Sequence, residues 1–260
     1  MRFLSALSFL TIIPLPFPRE PSAEEAGGST AYFPVVGVII GLVLAGLNWL
    51  LSLLLPAAVV NGLLLVAMVV ISGALHIDGF VDTCDGLGGH KTVEERWRVM
   101  HDSRAGAFGI VGAVLLLLVK YISLSSVPAA WLMATLVLVP VVSRWAMVYA
   151  VFAYPYARPE GLGKVFKRET DWRGLTLATA VALVVAIGWA RLADITYFYL
   201  AGLALMLAIW VMAAVTGVFL KRRFSGLTGD TYGAINEVVE VGGLILVVLL
   251  AHNRWLGGPG

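Results

Sequence analysis

The sequence predicts an all-α protein, a polytopic helical bundle in a membrane, with about seven transmembrane helices after a short interfacial one. Three observations predict it. The 260 residues are 60% hydrophobic and only 13% charged, where a soluble domain carries about 25% charged residues, and the mean hydropathy is +0.91. The apolar runs are long enough to cross a bilayer, which takes about 20 residues. The basic residues gather on alternate connections. There is no internal repeat and no low-complexity linker, so residues 1–260 read as one integral membrane domain. The single cysteine, Cys84, excludes an internal disulfide and a multi-cysteine metal site; between Asp82 and Asp85 it reads as a small packing residue.

The chain opens with Arg2 and an apolar stretch from Phe3 to Ile13. A secretory signal would continue into a small-residue cleavage site, where this sequence has Pro14, Pro16 and Pro18. The stretch is also too short to span. The expectation is a retained helix lying in the membrane interface or packed on the bundle. Transmembrane helices are then expected near 33–55, 57–76, 107–127, 129–151, 174–193, 195–220 and 235–252. The sixth is the clearest, since Ile195 to Leu220 holds no charge. The seventh is the weakest, with Glu237 and Glu240 in its first turns.

Fourteen of the eighteen basic residues fall on one side: Arg2, Arg19, Lys91, Arg96, Arg98, Arg104, Arg158, Lys164, Lys167, Arg168, Arg173, Lys221, Arg222 and Arg223. The other side receives Lys120, Arg191 and Arg254, and Arg144 lies inside the fourth span. The positive-inside rule then makes the N-terminus cytoplasmic and the C-terminus external. The connections on the basic side are about 30, 22 and 14 residues long and hold every polar cluster of interest. A transporter would place such residues near the bilayer midplane, often in repeated halves. Chemistry at one face suits a membrane enzyme with a cytoplasmic substrate.

The richest stretch runs from His76 to Gly89, His-Ile-Asp-Gly-Phe-Val-Asp-Thr-Cys-Asp-Gly-Leu-Gly-Gly. If the apolar helix continues through it at about 100° per residue, Asp78, Asp82 and Asp85 share an arc of roughly 60° and span about 10 Å. Three like charges on one face repel, and near a helix C-terminus they oppose the macrodipole. A hard divalent cation offsets that cost. Mg²⁺ takes oxygen ligands, commonly one or two carboxylates with substrate phosphate and water, and arginine pairs bidentately with phosphate. The basic residues around the aspartates therefore point to a diphosphate substrate. The spacing and the lack of a closing glutamate exclude an EF-hand. His76 is expected roughly opposite the aspartate face, and His101 is expected to be ordinary. Gly86, Gly88 and Gly89 should end the helix, and Thr92 with Glu95 should cap a short helix near 93–101. Asp102, Ser103 and Arg104 then bring a fourth carboxylate and a guanidinium back to the surface.

In the fourth connection Arg158 and Lys164 could hold phosphate or a substrate carboxamide, although a basic loop is also attracted to anionic lipid. Charge within a span is usually paired, and Asp78, Asp82 and Asp85 are the expected partners of Arg144. The sixth connection, Ser225-Gly-Leu-Thr-Gly-Asp-Thr-Tyr-Gly-Ala234, offers Thr228 and Asp230 as oxygen ligands in a glycine-rich loop. Glu240 could orient a substrate hydroxyl, bind a second metal or stand as a paired buried acid.

Together these stretches resemble the cobalamin synthase family, the adenosylcobinamide-GDP ribazoletransferases. The matching pieces are Phe9-Leu-Thr with Ile-Pro-Leu-Pro16, Phe33-Pro-Val-Val-Gly37, His76 to Gly89, Asp102-Ser-Arg-Ala-Gly-Ala-Phe-Gly109, Ser143-Arg-Trp145, Ala157-Arg-Pro-Glu-Gly-Leu-Gly163 and Leu227-Thr-Gly-Asp230. They stand in family order over nearly the whole chain; Ser225-Gly replaces the usual Gly-Gly. The resemblance implies the last assembly step of adenosylcobalamin. The 3′-hydroxyl of α-ribazole, or of its 5′-phosphate, attacks the phosphorus on the aminopropanol arm of adenosylcobinamide-GDP, and GMP leaves. Mg²⁺ supports the reaction. On this reading Asp78, Asp82, Asp85 and Asp102 form the metal set, with Asp82, Asp85 and Arg104 catalytic and Asp85 either a ligand or the base. Arg158, Lys164, Arg144, Thr228, Asp230 and Glu240 would bind substrate. The expected setting is the cytoplasmic (inner) membrane with the site facing the cytoplasm. The expected partners are the two substrates and the lipid bilayer, with no nucleic acid, and a homodimer by analogy with similar membrane transferases.

Two other readings share the acidic logic. Membrane CDP-alcohol phosphotransferases carry an Asp-Gly-x-x-Ala-Arg arrangement, where this chain has Asp78-Gly-Phe-Val-Asp82, without the Ala-Arg. A cation or proton transporter could also use Asp78, Asp82 and Asp85.

Overall fold

The computed structural model describes residues 1–15, 21–89, 92–102, 104–158 and 160–253. Of the positions discussed above, Pro16, Pro18, Arg19, Lys91, Ser103 and Arg254 lie outside them.

Twelve α-helices are found among the described residues. Helix α1 (Arg2–Leu10) buries Ala6 and Leu10 against the bundle. Ser22 and Glu25 form a capping box that starts α2 (Ala23–Gly27), and a 3₁₀ turn over Gly28–Tyr32 leads into α3 (Phe33–Leu51). The remaining long helices are α4 (Ala57–Ile71), α7 (Ala107–Ser125), α8 (Ala129–Ala153), α10 (Trp172–Leu192), α11 (Phe198–Phe224) and α12 (Gly229–Asn253). Between them lie α5 (Leu75–Leu87), α6 (Val93–Met100) and α9 (Leu162–Glu169). Six stretches, α2–α3, α7, α8, α10, α11 and α12, are long and apolar enough to cross a membrane, and α4 with α5 makes a seventh, bent candidate. The protein is therefore a multi-pass membrane protein.

Helix α8 is the hub, touching α3, α10, α11 and α12. Pro140 inside it cannot donate to the preceding turn. Gly37 and Gly41 of α3 lie against this stretch: a Cβ on Gly37 would come within 2.6 Å of the Pro140 carbonyl, and one on Gly41 within 2.5 Å of Val137 Cα. Two glycines four residues apart thus let two membrane helices meet backbone to backbone.

The second span departs from the expected straight helix. Helix α4 begins beside the end of α7, where Tyr121 Oη donates to the Ala58 carbonyl (3.2 Å) and Asn61 Nδ2 to Ser125 Oγ (3.3 Å). It stops at Ile71, and α5 leaves at 86° to it. Gly73 and Ala74 make the corner with φ of 59° and 57°, in the left-handed region that costs little only for glycine. Helix α5 meets the starts of α7 and α12 and, at Gly86, Phe224 at the end of α11, and it also packs Cys84 against Gly112 of α7.

Two further boundaries move. The seventh span starts at Gly229 instead of 235, and the sixth runs on to Phe224, which shrinks the sixth connection to a tight turn over residues 225–228. Lys120, assigned above to the sparse far side, is inside α7 and fully buried. The capping box of Thr92 and Glu95 is present and α6 ends at Met100, one residue short of the expected limit.

Candidate active site

The site forms where α5, the 155–163 connection, the start of α12 and the end of α1 converge. Helix α5 seats on α12 through Gly79, whose missing side chain leaves room for the Asp230 backbone; a Cβ there would stand 2.7 Å from the Asp230 carbonyl oxygen. The turn 225–228 and the connection after α8 are stitched by a short parallel bridge, with Leu227 N–H donating to the Pro155 carbonyl (2.9 Å) and Ala157 N–H to the Leu227 carbonyl (2.8 Å). That bridge delivers Arg158 to Asp230, where Nη2 donates to Oδ2 at 2.9 Å. The Nε of Arg158 is buried with no hydrogen-bond partner among the described residues.

Asp78 and Asp82 sit one turn apart on α5, Asp78 exposed and Asp82 half-buried. Asp230, Asp78 and Asp85 bring negative charge to Asp82, and Arg158 brings positive charge. Among the described residues no group of three or more His, Cys, Asp or Glu side chains is placed to hold a metal ion. The donor set, oxygen only and open on one side, suits Mg²⁺, which takes one or two carboxylates and completes its shell with phosphate and water.

Beside the carboxylates opens a cavity of about 510 Å³. Asp78, Gly79, Arg158 and Asp230 line its mouth side, and Phe9, Phe33, Phe166 and Tyr156 its apolar wall. The three phenylalanines form an edge-and-stack cluster with centroids 5.0, 5.7 and 5.8 Å apart. His76 and Tyr232 also line it, and sequence reasoning gave neither a direct part in the site. His76 was expected roughly opposite the aspartate face, and it is buried under the start of α12 while Asp78 on the same helix is exposed. Tyr232, one turn into α12, carried no sequence signal. His101 lines the cavity too, with Nδ1 2.7 Å from the Trp97 carbonyl.

Several expected site residues stand elsewhere. Asp85 is buried, and its two oxygens accept from Gly106 N–H (2.7 Å) and Gly109 N–H (2.8 Å). It anchors the start of α7, where a carboxylate meets the positive end of the helix dipole. Asp102 and Arg104 pair with each other on the surface (2.9 Å) away from the cavity lining, and this pairing holds the Asp102 carboxyl down to about 2. Thr228 is fully buried and caps α12, its Oγ1 accepting from Thr231 N–H (3.3 Å). Lys164 is exposed in the first turn of α9. Cys84 packs against α7 at Gly112.

Arg144 does not pair with the α5 aspartates. Its partner is Glu240, in a buried network where Lys120 Nζ also donates to Glu240 (2.6 Å) and Glu237 (2.7 Å), and Asn236 Nδ2 to Glu240 (3.2 Å). None of Lys120, Arg144, Glu237 and Glu240 lines the cavity. Two cations and two carboxylates here tie α7, α8 and α12 together.

A profile of the cobalamin-5-phosphate synthase family matches residues 2–249. The chain is 37% identical to the adenosylcobinamide-GDP ribazoletransferase of Geotalea daltonii, over 96% of each chain. It is 37% identical to that of a Roseiflexus species, over 96% of this chain and 90% of the relative. It is 39% identical to that of Syntrophobacter fumaroxidans, over 92% and 94%. No solved structure matches. With a family profile and relatives of this similarity spanning nearly its whole length, the chain belongs to the cobalamin-5-phosphate synthase family.

Proposed function

We propose that the protein transfers the adenosylcobinamide phosphoryl group from adenosylcobinamide-GDP to the 3′-hydroxyl of α-ribazole or its 5′-phosphate, with Mg²⁺, at the cytoplasmic face of the inner membrane. The observation that carries this reading is Asp78 and Asp230, with Arg158 paired to Asp230, in the lining of a nucleoside-sized cavity, and Asp82 one turn from Asp78 on α5. The assignment to the cytoplasmic face rests on the basic connections surrounding that site.

Phosphoryl transfer asks a protein mainly for positioning and charge stabilisation. Asp78 and Asp82, with Asp230 beside them, would hold Mg²⁺, which polarises the phosphoryl oxygens and neutralises charge on the leaving GMP. Arg158 is fixed by Asp230 and keeps its Nε–H for a phosphate oxygen, a charge-assisted bond. Lys164 adds positive charge from α9. The attacking 3′-hydroxyl gives up a proton as its oxygen bonds to phosphorus and the bond to GMP breaks. A carboxylate of this face that is not engaged by the metal would take that proton. Asp85 contributes indirectly, by fixing α7 against α5.

The test is direct. Detergent-purified protein incubated with adenosylcobinamide-GDP, α-ribazole and Mg²⁺ should release GMP and form the cobalamin product, and omission of Mg²⁺ should stop it. Asp82→Asn should lose activity by about a thousandfold or more while eluting as wild type on size exclusion. GMP release from the wild type that ignores α-ribazole, or an active Asp82→Asn variant, would sink the assignment.

A further inference from the structure

We propose that the cavity under Asp78 is the seat of the nucleophilic substrate, taking the benzimidazole of α-ribazole against Phe33 and Phe166 and binding its polar atoms through His76 and Tyr232. The inference rests on the transferase reading and names which of the two substrates this cavity takes.

The first observation is chemical demand. His76 is 1% exposed and Tyr232 2% exposed, both line the cavity, and both His76 ring nitrogens and the Tyr232 hydroxyl lack a partner among the described residues. Buried polar groups are almost always hydrogen-bonded, so a ligand with an acceptor and a hydroxyl in reach would complete them. A neutral imidazole offers one donor and one acceptor, and a phenol offers either. The second observation is shape. Phe9, Phe33 and Phe166, in two edge-on pairs and one stacked pair, line the cavity with aromatic carbon that suits a fused apolar ring. The cavity, about 510 Å³, falls in the range of roughly 300–1,000 Å³ that encloses a drug-sized ligand.

Dimethylbenzimidazole riboside matches that inventory: a fused hydrocarbon-rich ring, one imine nitrogen as acceptor, and a ribose whose hydroxyls would reach the carboxylate mouth. Guanine matches it poorly. Its donors at N1 and N2 and acceptors at O6 and N7 would need several fixed partners; of the carboxylates lining the cavity, Asp230 is committed to Arg158, Asp78 to the metal on the reading above, and Glu160 is exposed. A polar edge left unpaired in a buried site is strongly disfavoured. The corrinoid is far too large to be enclosed. The guanosine and corrin ends of the other substrate are thereby left to the open face beyond the carboxylates.

Steady-state kinetics on the detergent-purified protein, varying each substrate in turn, tests this. Tyr232→Phe, which removes only a hydroxyl, should raise KM for α-ribazole about tenfold while leaving KM for adenosylcobinamide-GDP within about twofold. His76→Phe should do the same. An α-ribazole analogue with the imine nitrogen replaced by C–H should lose about tenfold on the wild type and little further on whichever variant lacks the matching donor. The analogue carries the test even if His76→Phe does not fold. Unchanged α-ribazole KM in Tyr232→Phe together with an analogue equal to α-ribazole on the wild type would overturn the proposal, as would a rise confined to the adenosylcobinamide-GDP KM. A wild type with no turnover overturns the transferase reading itself; a wild type that turns over with such flat variants overturns only this inference.

Discussion

Asp82 is half-buried one turn from Asp78. A cation bound by these carboxylates displaces any proton they carry, so acid and metal compete. The diphosphate of adenosylcobinamide-GDP is a diester with no proton to titrate near neutrality. The Mg²⁺ concentration for half-maximal rate should therefore climb as the pH is lowered into the range where carboxylates protonate. A requirement that does not change with pH would remove Asp82 from the metal site. The aspartates were legible in sequence because like charges at helical spacing demand a cation wherever they sit. Asp85 looked equivalent to the other two, yet its burial and its backbone partners at Gly106 and Gly109 come from tertiary contacts that spacing does not report. His76 and Tyr232 were illegible for the same reason, since an unpartnered polar atom is defined only by what surrounds it.

The decisive element is α5, and its direction comes from three small residues, Ser72, Gly73 and Ala74. Hydropathy marks which residues are apolar and is silent on where a helix points. The apolar run therefore read as one span, although a glycine at position 73 was available to mark the corner. Once turned, α5 needs a partner for its inner face, and Gly79 supplies the contact with the start of α12. Gly79→Ala would set a methyl 2.7 Å from the Asp230 carbonyl oxygen and 2.9 Å from its Cα. Because those atoms are backbone, α5 and α12 must part, separating Asp78 and Asp82 from Asp230 and Arg158. A displacement near 1 Å at a reacting centre costs about a hundredfold. The expectation is a kcat lowered by about that factor in a protein that still purifies as wild type. A Gly79→Ala enzyme with normal kcat would show that the α5–α12 contact does not set the geometry.

At the scale of the molecule, the helix count was readable from composition, and the positive-inside pattern predicts an orientation. Reporter fusions should find residue 55 and residue 260 on the side opposite the 90–104 and 158–173 connections; a tail on the same side as those connections would break the seven-crossing arrangement. The buried network was only half readable. Arg144, Glu237 and Glu240 advertised themselves as charges in spans, but Lys120 was counted among the basic residues of the sparse far side. In the structure it donates to both glutamates and closes a formally neutral set across α7, α8 and α12. Removing one member of such a set leaves a buried charge uncompensated, a loss of about 3 kcal/mol or more, whereas removing an opposite pair is far milder. Lys120→Met should therefore lower the thermal midpoint of the detergent-solubilised protein strongly, and adding Glu237→Gln should restore most of it. Because none of these residues lines the cavity, the double variant should keep substrate KM values close to wild type. If it is instead stable but has lost α-ribazole or adenosylcobinamide-GDP affinity, the network reaches the substrates and is more than a brace for the helices that carry the site.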